Sequence, residues 1–226
     1  MTLNLPRPIL YLITRGETTE TTTPDGEEFR NILQQVSAAV TARIPLIQIR
    51  EKRLRSRVLF ELTNSVVAIA RGSSTQVLVN DRADIAASAG ANGVHLTTHS
   101  LSADVIRKTF GPEFLVGAST HSLAEAQSAC RQGANFAVFG PIFHSPAKEK
   151  YGPPLGLGHL KDAARDLAPF PLIALGGISL DHVTECLLAG ASGIAGITLF
   201  SRPADLAMTA EAIKDFAKVD RRRTVQ

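Results

Sequence analysis

The chain has 226 residues, 44% apolar and 20% charged, which excludes a disordered or fibrous protein. Against 21 Asp and Glu stand 24 Lys and Arg, a net charge of +3 that is too small to imply a nucleic-acid partner. Three of those positives, Arg221, Arg222 and Arg223, lie in a basic tail (218–226) whose plainest reading is a frayed, solvated terminus. Cys130 and Cys186 lack metal-ligand spacing, no apolar run approaches the roughly 20 residues of a membrane span, and the N-terminus has no positive leader. Reduced thiols, no membrane and a cytoplasmic location are expected.

Eight short apolar runs read as strands buried on both faces: 8–14, 45–51, 76–81, 93–97, 114–120, 136–142, 171–177 and 193–200. Segments of helical spacing follow them in turn, at 27–43, 56–71, 84–89, 102–110, 122–132, 157–168, 179–189 and 204–219. Ser102, Ser122 and Ser179 stand where helices start, and Gly133 and Gly190 where helices end. A unit of helix, Gly-Ala and strand recurs as AGANGVHL, QGANFAVF and AGASGIAGI. Eight alternations predict one domain, 1–226, folded as a single (β/α)8 TIM barrel over about 8–217. A doubly wound sheet is the runner-up, disfavoured because no GxGxxG follows the first strand.

In such a barrel the active site lies at the C-terminal strand ends. Thr14 closes the first run. Gln48, Arg50 and Lys52 alternate at the second, where period two puts all three on one side and Arg with Lys suits a phosphate or pyrophosphate. The bland reading is that the two cations merely neutralise Glu51 or the following helix start. The third run ends in Asn80 and Asp81, residues suited to a ligand oxygen and to Mg²⁺; Asp81 reads equally as a helix cap or a partner of Arg82. His95, inside the fourth run, reads as a core histidine. The fifth run ends in Ser119, Thr120 and His121, a candidate general acid or base with a structural alternative. Gly176 and Gly177 close the seventh run, and Ile197, Thr198 and Leu199 the eighth, where this fold often binds phosphate through backbone amides.

The words IQIREK, VNDRADIA, GVHL, GASTHSLAEA, FGPIF with a following Lys, ALGGIS and AGASGIAGI, in this order over residues 8–200, resemble the thiamine phosphate synthase and TenI superfamily. The resemblance implies a barrel that binds thiazole phosphate. One branch, thiamine phosphate synthase, joins it to hydroxymethylpyrimidine pyrophosphate with Mg²⁺. The other, TenI-like thiazole tautomerase, moves a proton through a histidine and needs no cofactor. Carried over, Gln48, Arg50 and Lys52 match pyrimidine and pyrophosphate positions, and Asn80 and Asp81 the pyrophosphate and Mg²⁺ positions. Lys148 matches the lysine after strand six, Gly177, Ile197 and Thr198 the phosphate loops, and His121 the tautomerase histidine.

Two departures fall on the pyrophosphate half. Ser100 stands where a second Mg²⁺ carboxylate is expected, and Ser145-Pro146-Ala147-Lys148 lacks one hydroxyl. The sequence reading therefore leans to the tautomerase, with His121 and Lys52 as catalytic residues and Ser119, Gly176 and Gly177 at the ligand. The synthase, and a non-catalytic binding or regulatory barrel, are kept as alternatives. A homo-oligomer is left open. The stretch FGPIFHSPAKEKYGPPLG, 139–156, reads as a lid carrying Lys148.

Overall fold

The computed structural model describes residues 3–144 and 153–223, with side chains through Phe216. Eight parallel strands close in chain order, the last beside the first. They are β1 Ile9–Ile13, β2 Leu46–Ile49, β3 Gln76–Asn80, β4 Gly93–Leu96, β5 Leu115–Thr120, β6 Phe136–Phe139, β7 Leu172–Ala174 and β8 Gly193–Gly196. Helices α1 Glu27–Thr41, α2 Ser56–Ala70, α3 Ala83–Ser88, α4 Ala103–Phe110, α5 Leu123–Arg131, α6 Gly156–Leu167, α7 Val183–Leu188 and α8 Leu206–Arg223 alternate with them. This is the (β/α)8 barrel that the alternation predicts.

The strands are shorter than the apolar runs. The sixth leaves the ladder after Phe139, since Pro141 has no N–H to give it. The eighth ends at Gly196, and Thr198–Phe200 forms a turn of 3-10 helix instead of strand. Ser122 caps α5, its Oγ accepting from the Glu125 amide at 3.2 Å, and Ser179 forms a capping box with His182. Ser102 has the backbone of a cap but makes no side-chain cap bond. α8 continues to Arg223, so the arginines expected in a frayed tail lie on helical backbone.

Period two sorts the strand residues into two layers. Leu10, Leu12, Ile47, Ile49, Val77 and Val79 face the helices. Ile9, Tyr11, Ile13, Leu46, Leu78, Phe136, Val138, Ile173 and Ala195 fill the barrel, and Leu3 and Leu5 pack against them. The recurring Gly-Ala-Asn unit is structural. The chain turns at Gly90 and Gly133, with φ 72 and 89, and the next Asn then holds the start of a neighbouring strand. Val77 N donates to Asn92 Oδ1, and Val116 N to Asn135 Oδ1, each at 2.8 Å.

A line of polar groups crosses this apolar interior. Gln48 Nε2 donates to the Tyr11 hydroxyl at 2.9 Å, Tyr11 lies 3.1 Å from His95 Nδ1, and His95 Nε2 lies 2.9 Å from Ser119 Oγ. Phe136 meets Tyr11 edge-on at 5.5 Å and His95 at 6.1 Å. Burial pushes the His95 pKa down to about 3, with the Asp81 charge opposing and the Arg50 charge adding to the shift. Burial also raises the Tyr11 pKa, against the Gln48 bond.

The loops after β6 and β7 pack backbone to backbone. Ile142 N donates to Leu175 O at 2.9 Å and Phe143 N to Gly176 O at 3.0 Å. Gly176 and Gly177 have φ of 102 and 64, and a Cβ on Gly177 would fall 2.3 Å from His144 O.

Two outcomes follow for stability. A histidine kept neutral below its unfolded pKa of about 6.5 takes up a proton on unfolding, so its contribution is whole above that pH and is lost as pH falls towards 3. Between pH 6 and 4, urea unfolding should show the wild type losing about 1.4 kcal/mol per pH unit more than His95→Gln; equal slopes would mean that His95 charges inside the native barrel. Gly177→Ala should cost about 2–4 kcal/mol by the same measurement, from the left-handed backbone and the clash with the loop after β6; a change below about 0.5 kcal/mol would show that the two loops are not packed in this way.

Candidate active site

The C-terminal rim of the barrel gathers the polar strand ends. Thr14 Oγ1 accepts from the Arg50 amide at 2.8 Å and ties the ends of β1 and β2 together. β2 stops at Ile49 and Lys52 lies in the turn that follows, so the alternation that predicts Gln48, Arg50 and Lys52 on one side does not reach Lys52. Gln48 is buried inside the barrel, Arg50 is half-buried and Lys52 is exposed.

Glu51 has a different role from the one its neighbours suggest. Only 3% exposed, it accepts from Gly16 N at 3.0 Å, Thr18 N at 3.3 Å and Thr18 Oγ1 at 2.7 Å. A buried carboxylate needs such donors, and these clasp the loop after β1 to the end of β2. No ion pair joins Glu51 to Arg50 or Lys52 among the described residues, so the Glu51 half of the bland account of those two cations loses its partner.

Asp81 stands just past β3 with φ 59, a left-handed conformation uncommon outside glycine and typical of strained functional positions. Its amide donates to His95 O at 3.0 Å. Its carboxylate accepts from Asn80 Nδ2 at 2.8 Å, Thr97 Oγ1 at 3.3 Å and Ser100 Oγ. Arg82 pairs with Asp84 at 2.6 Å and itself holds the N-cap position of α3, so Asp81 is neither helix cap nor Arg82 partner. Ser100 thus sits against Asp81, where the sequence expects a second carboxylate, and its hydroxyl also accepts from Thr97 N at 2.6 Å.

One carboxylate and two hydroxyls do not make a protein-only metal cage, and no cluster of three His, Cys, Asp or Glu suited to a metal occurs among the described residues. The set does fit a Mg²⁺ that arrives with phosphate oxygens, the usual composition of such sites.

His121 begins the loop after β5 with an exposed side chain. Its Nδ1 lies 2.5 Å from Gly140 O, and its amide donates to Glu125 Oε2 at 2.6 Å. A carbonyl only accepts, so Nδ1 carries a proton, and Nε2 is the ring atom left to face the site.

The stretch 139–156 is closed at its neck. Leu155 N donates to Pro141 O at 2.8 Å and Gly156 N to Ile142 O at 3.0 Å, so the chain leaves and returns at one point of the rim. Lys148, with Ser145, Pro146 and Ala147, lies outside the described residues. The neck is held laterally by Phe143, stacked on His182 at 4.0 Å. The close approach at Gly176 and Gly177 is made by this neck. Ile197 packs against the inner barrel, and Thr198 opens the 3-10 turn at the rim.

The structure therefore brings Gln48, Asn80, Asp81, Ser119 and Ser100 into bonded networks on the β2–β5 side. It sets His121 beside the β6 end, and Gly176, Gly177, Ile197 and Thr198 on the β7–β8 side. Tyr11 and Glu51 were missed as site-shaping residues. Tyr11 reads as one more apolar strand residue, whereas a lone acid between two cations at a strand end is a signal that could have flagged Glu51.

Known proteins agree with this frame. The family described as thiamine monophosphate synthase matches residues 10–200. A thiamine-phosphate synthase of Roseiflexus castenholzii is 32% identical over 93% of this chain and 89% of its own length. A putative thiamine-phosphate synthase of Geobacter sulfurreducens is 38% identical over 75% and 79%. The solved thiamine phosphate pyrophosphorylase of Pyrococcus furiosus superposes with a TM-score of 0.76 at 26% identity, covering 93% of this chain and 96% of that one. With its barrel, its rim residues and this match over most of its length, the chain belongs to the thiamine monophosphate synthase family.

Proposed function

We propose that this protein is a thiamine-phosphate synthase, joining thiazole phosphate to hydroxymethylpyrimidine pyrophosphate. The C–N bond to the pyrimidine methylene forms, the C–O bond to pyrophosphate breaks, and pyrophosphate leaves with the electron pair. The supporting observation is Ser100 against Asp81. The missing second carboxylate is the ground for the tautomerase leaning, yet its position still belongs to the Asp81 cluster and holds that carboxylate in place. The names of the relatives favour the same branch.

Arg50 and Lys52 supply cations for the pyrophosphate, and Lys148 is assigned to it by resemblance. Asp81, with Thr97 and Ser100 behind it, would hold Mg²⁺. When bound, the metal supplies charge neutralisation for the departing pyrophosphate, the step at which electrostatic stabilisation counts most. Gln48 orients the pyrimidine part, Asn80 serves the pyrophosphate side beside Asp81, and the rim at Gly177, Ile197 and Thr198 receives the thiazole phosphate. Turnover belongs in one solvent-excluding cavity, and the neck formed by Pro141, Ile142 and Leu155 stands at the rim where that cavity would open.

The tautomerase remains a second reading on one observation, the His121 imidazole held by Gly140 O with Nε2 left to face the site. Purified protein given both substrates and Mg²⁺ should yield thiamine phosphate and pyrophosphate in equal amounts. Asp81→Ala should lower kcat/KM at least about 100-fold, and His121→Ala less than about tenfold. If the wild type makes no thiamine phosphate but aromatises thiazole carboxylate phosphate, and His121→Ala abolishes that, the tautomerase is correct.

A further inference from the structure

The line Gln48, Tyr11, His95, Ser119 has a direction. Gln48 Nε2 carries only protons, so its bond at 2.9 Å makes the Tyr11 oxygen an acceptor. The single Tyr11 proton is then left for His95 Nδ1 at 3.1 Å. A neutral imidazole that accepts at Nδ1 must carry its proton on Nε2, which donates to Ser119 Oγ at 2.9 Å. Only a neutral ring can accept at Nδ1, so the same bond excludes a doubly protonated imidazole. Ser119 has no other partner among the described residues and is half-buried at the rim, so its own proton points on to whatever lies in the mouth.

At the other end, Gln48 is 1% exposed and spends an N–H on Tyr11. Its Oε1 has no protein partner among the described residues, yet no fully enclosed side-chain oxygen there lacks one. Oε1 therefore keeps an opening.

We propose that the Tyr11 hydroxyl is a positioning group that sets the polarity of the binding mouth, fixing Gln48 to face the ligand as an acceptor through Oε1 and Ser119 to face it as a donor. The mouth then selects a heteroaromatic ligand that presents an amino donor beside an acceptor atom. This assignment rests on the synthase reading for the identity of that ligand, the aminopyrimidine pyrophosphate, but not for the direction of the chain. Tyr11 does not touch the ligand. It couples the two ends: with Gln48 Nε2 on the Tyr11 oxygen, a flipped amide or the other His95 tautomer taken alone would leave a buried donor or acceptor unmatched.

The test is a long-range ¹H–¹⁵N spectrum of histidine-labelled protein at neutral pH, in which His95 is recognised among the six histidines as the signal that His95→Gln removes. The wild type should show His95 protonated on Nε2. Tyr11→Phe keeps the ring against Phe136, and should shift His95 to a mixture containing the Nδ1 tautomer. The same variant should raise KM for the pyrimidine pyrophosphate about tenfold while kcat changes less than about threefold. His95 protonated on Nδ1 in the wild type would overturn the proposal whether or not the variant folds. So would Tyr11→Phe with the wild-type tautomer and an unchanged KM. Should the wild type make no thiamine phosphate, the synthase reading fails on its own, and the His95 tautomer still decides the direction of the chain.

Discussion

A hydrogen-bonded line of four side chains through the middle of an apolar barrel is the constraint on which the site depends. A closed eight-stranded barrel is filled by its own side chains, and a polar group placed there costs several kcal/mol unless it is matched. Here the matching runs from β2 through β1 and β4 to β5. Because each member is matched only by its neighbours in the line, the register of four strands and the orientation of the two rim groups are coupled. A slip of one residue in any of these strands would send its polar member to the helix side, into the cluster of Leu10, Ile47, Val79 and Val94.

The rim adds two further matched carboxylates with opposite roles. Glu51 is spent on structure, clasping the loop after β1, which leaves Arg50 and Lys52 without an acid among the described residues. Asp81 is held in a left-handed conformation by the hydroxyls of Thr97 and Ser100 and the amide of Asn80, and stays exposed. On the proposed synthase reading, such a site suits an anion that carries its own metal: cations on one strand end, one oriented carboxylate on the next, and no dense acid cluster among the described residues to repel phosphate.

The barrel was readable because eight apolar runs alternate with helical spacing, and the strand ends were readable because the fold puts chemistry there. Strand length was not, since composition does not say where Pro141 or Gly196 ends a ladder. The Gly176-Gly177 pair reads as a phosphate loop in the sequence, whereas its left-handed angles serve the packing of the neck at Phe143 and His144. In the sequence Ser100 reads as a loss because an acid is missing there; its bond to Asp81 exists only once the loops after β3 and β4 are brought side by side. Tyr11 carried no local signal at all, because an aromatic in a buried strand looks the same whether or not its hydroxyl has work to do.

The central claim is that one carboxylate suffices because the ligand brings the metal. Calorimetric titration of Mg²⁺ into the protein, alone and then with hydroxymethylpyrimidine pyrophosphate present, tests it directly. Saturable Mg²⁺ binding should appear only with the pyrophosphate, and disappear in Asp81→Asn. Tight Mg²⁺ binding to the protein alone, or pyrophosphate binding of equal strength with and without Mg²⁺, would contradict the account.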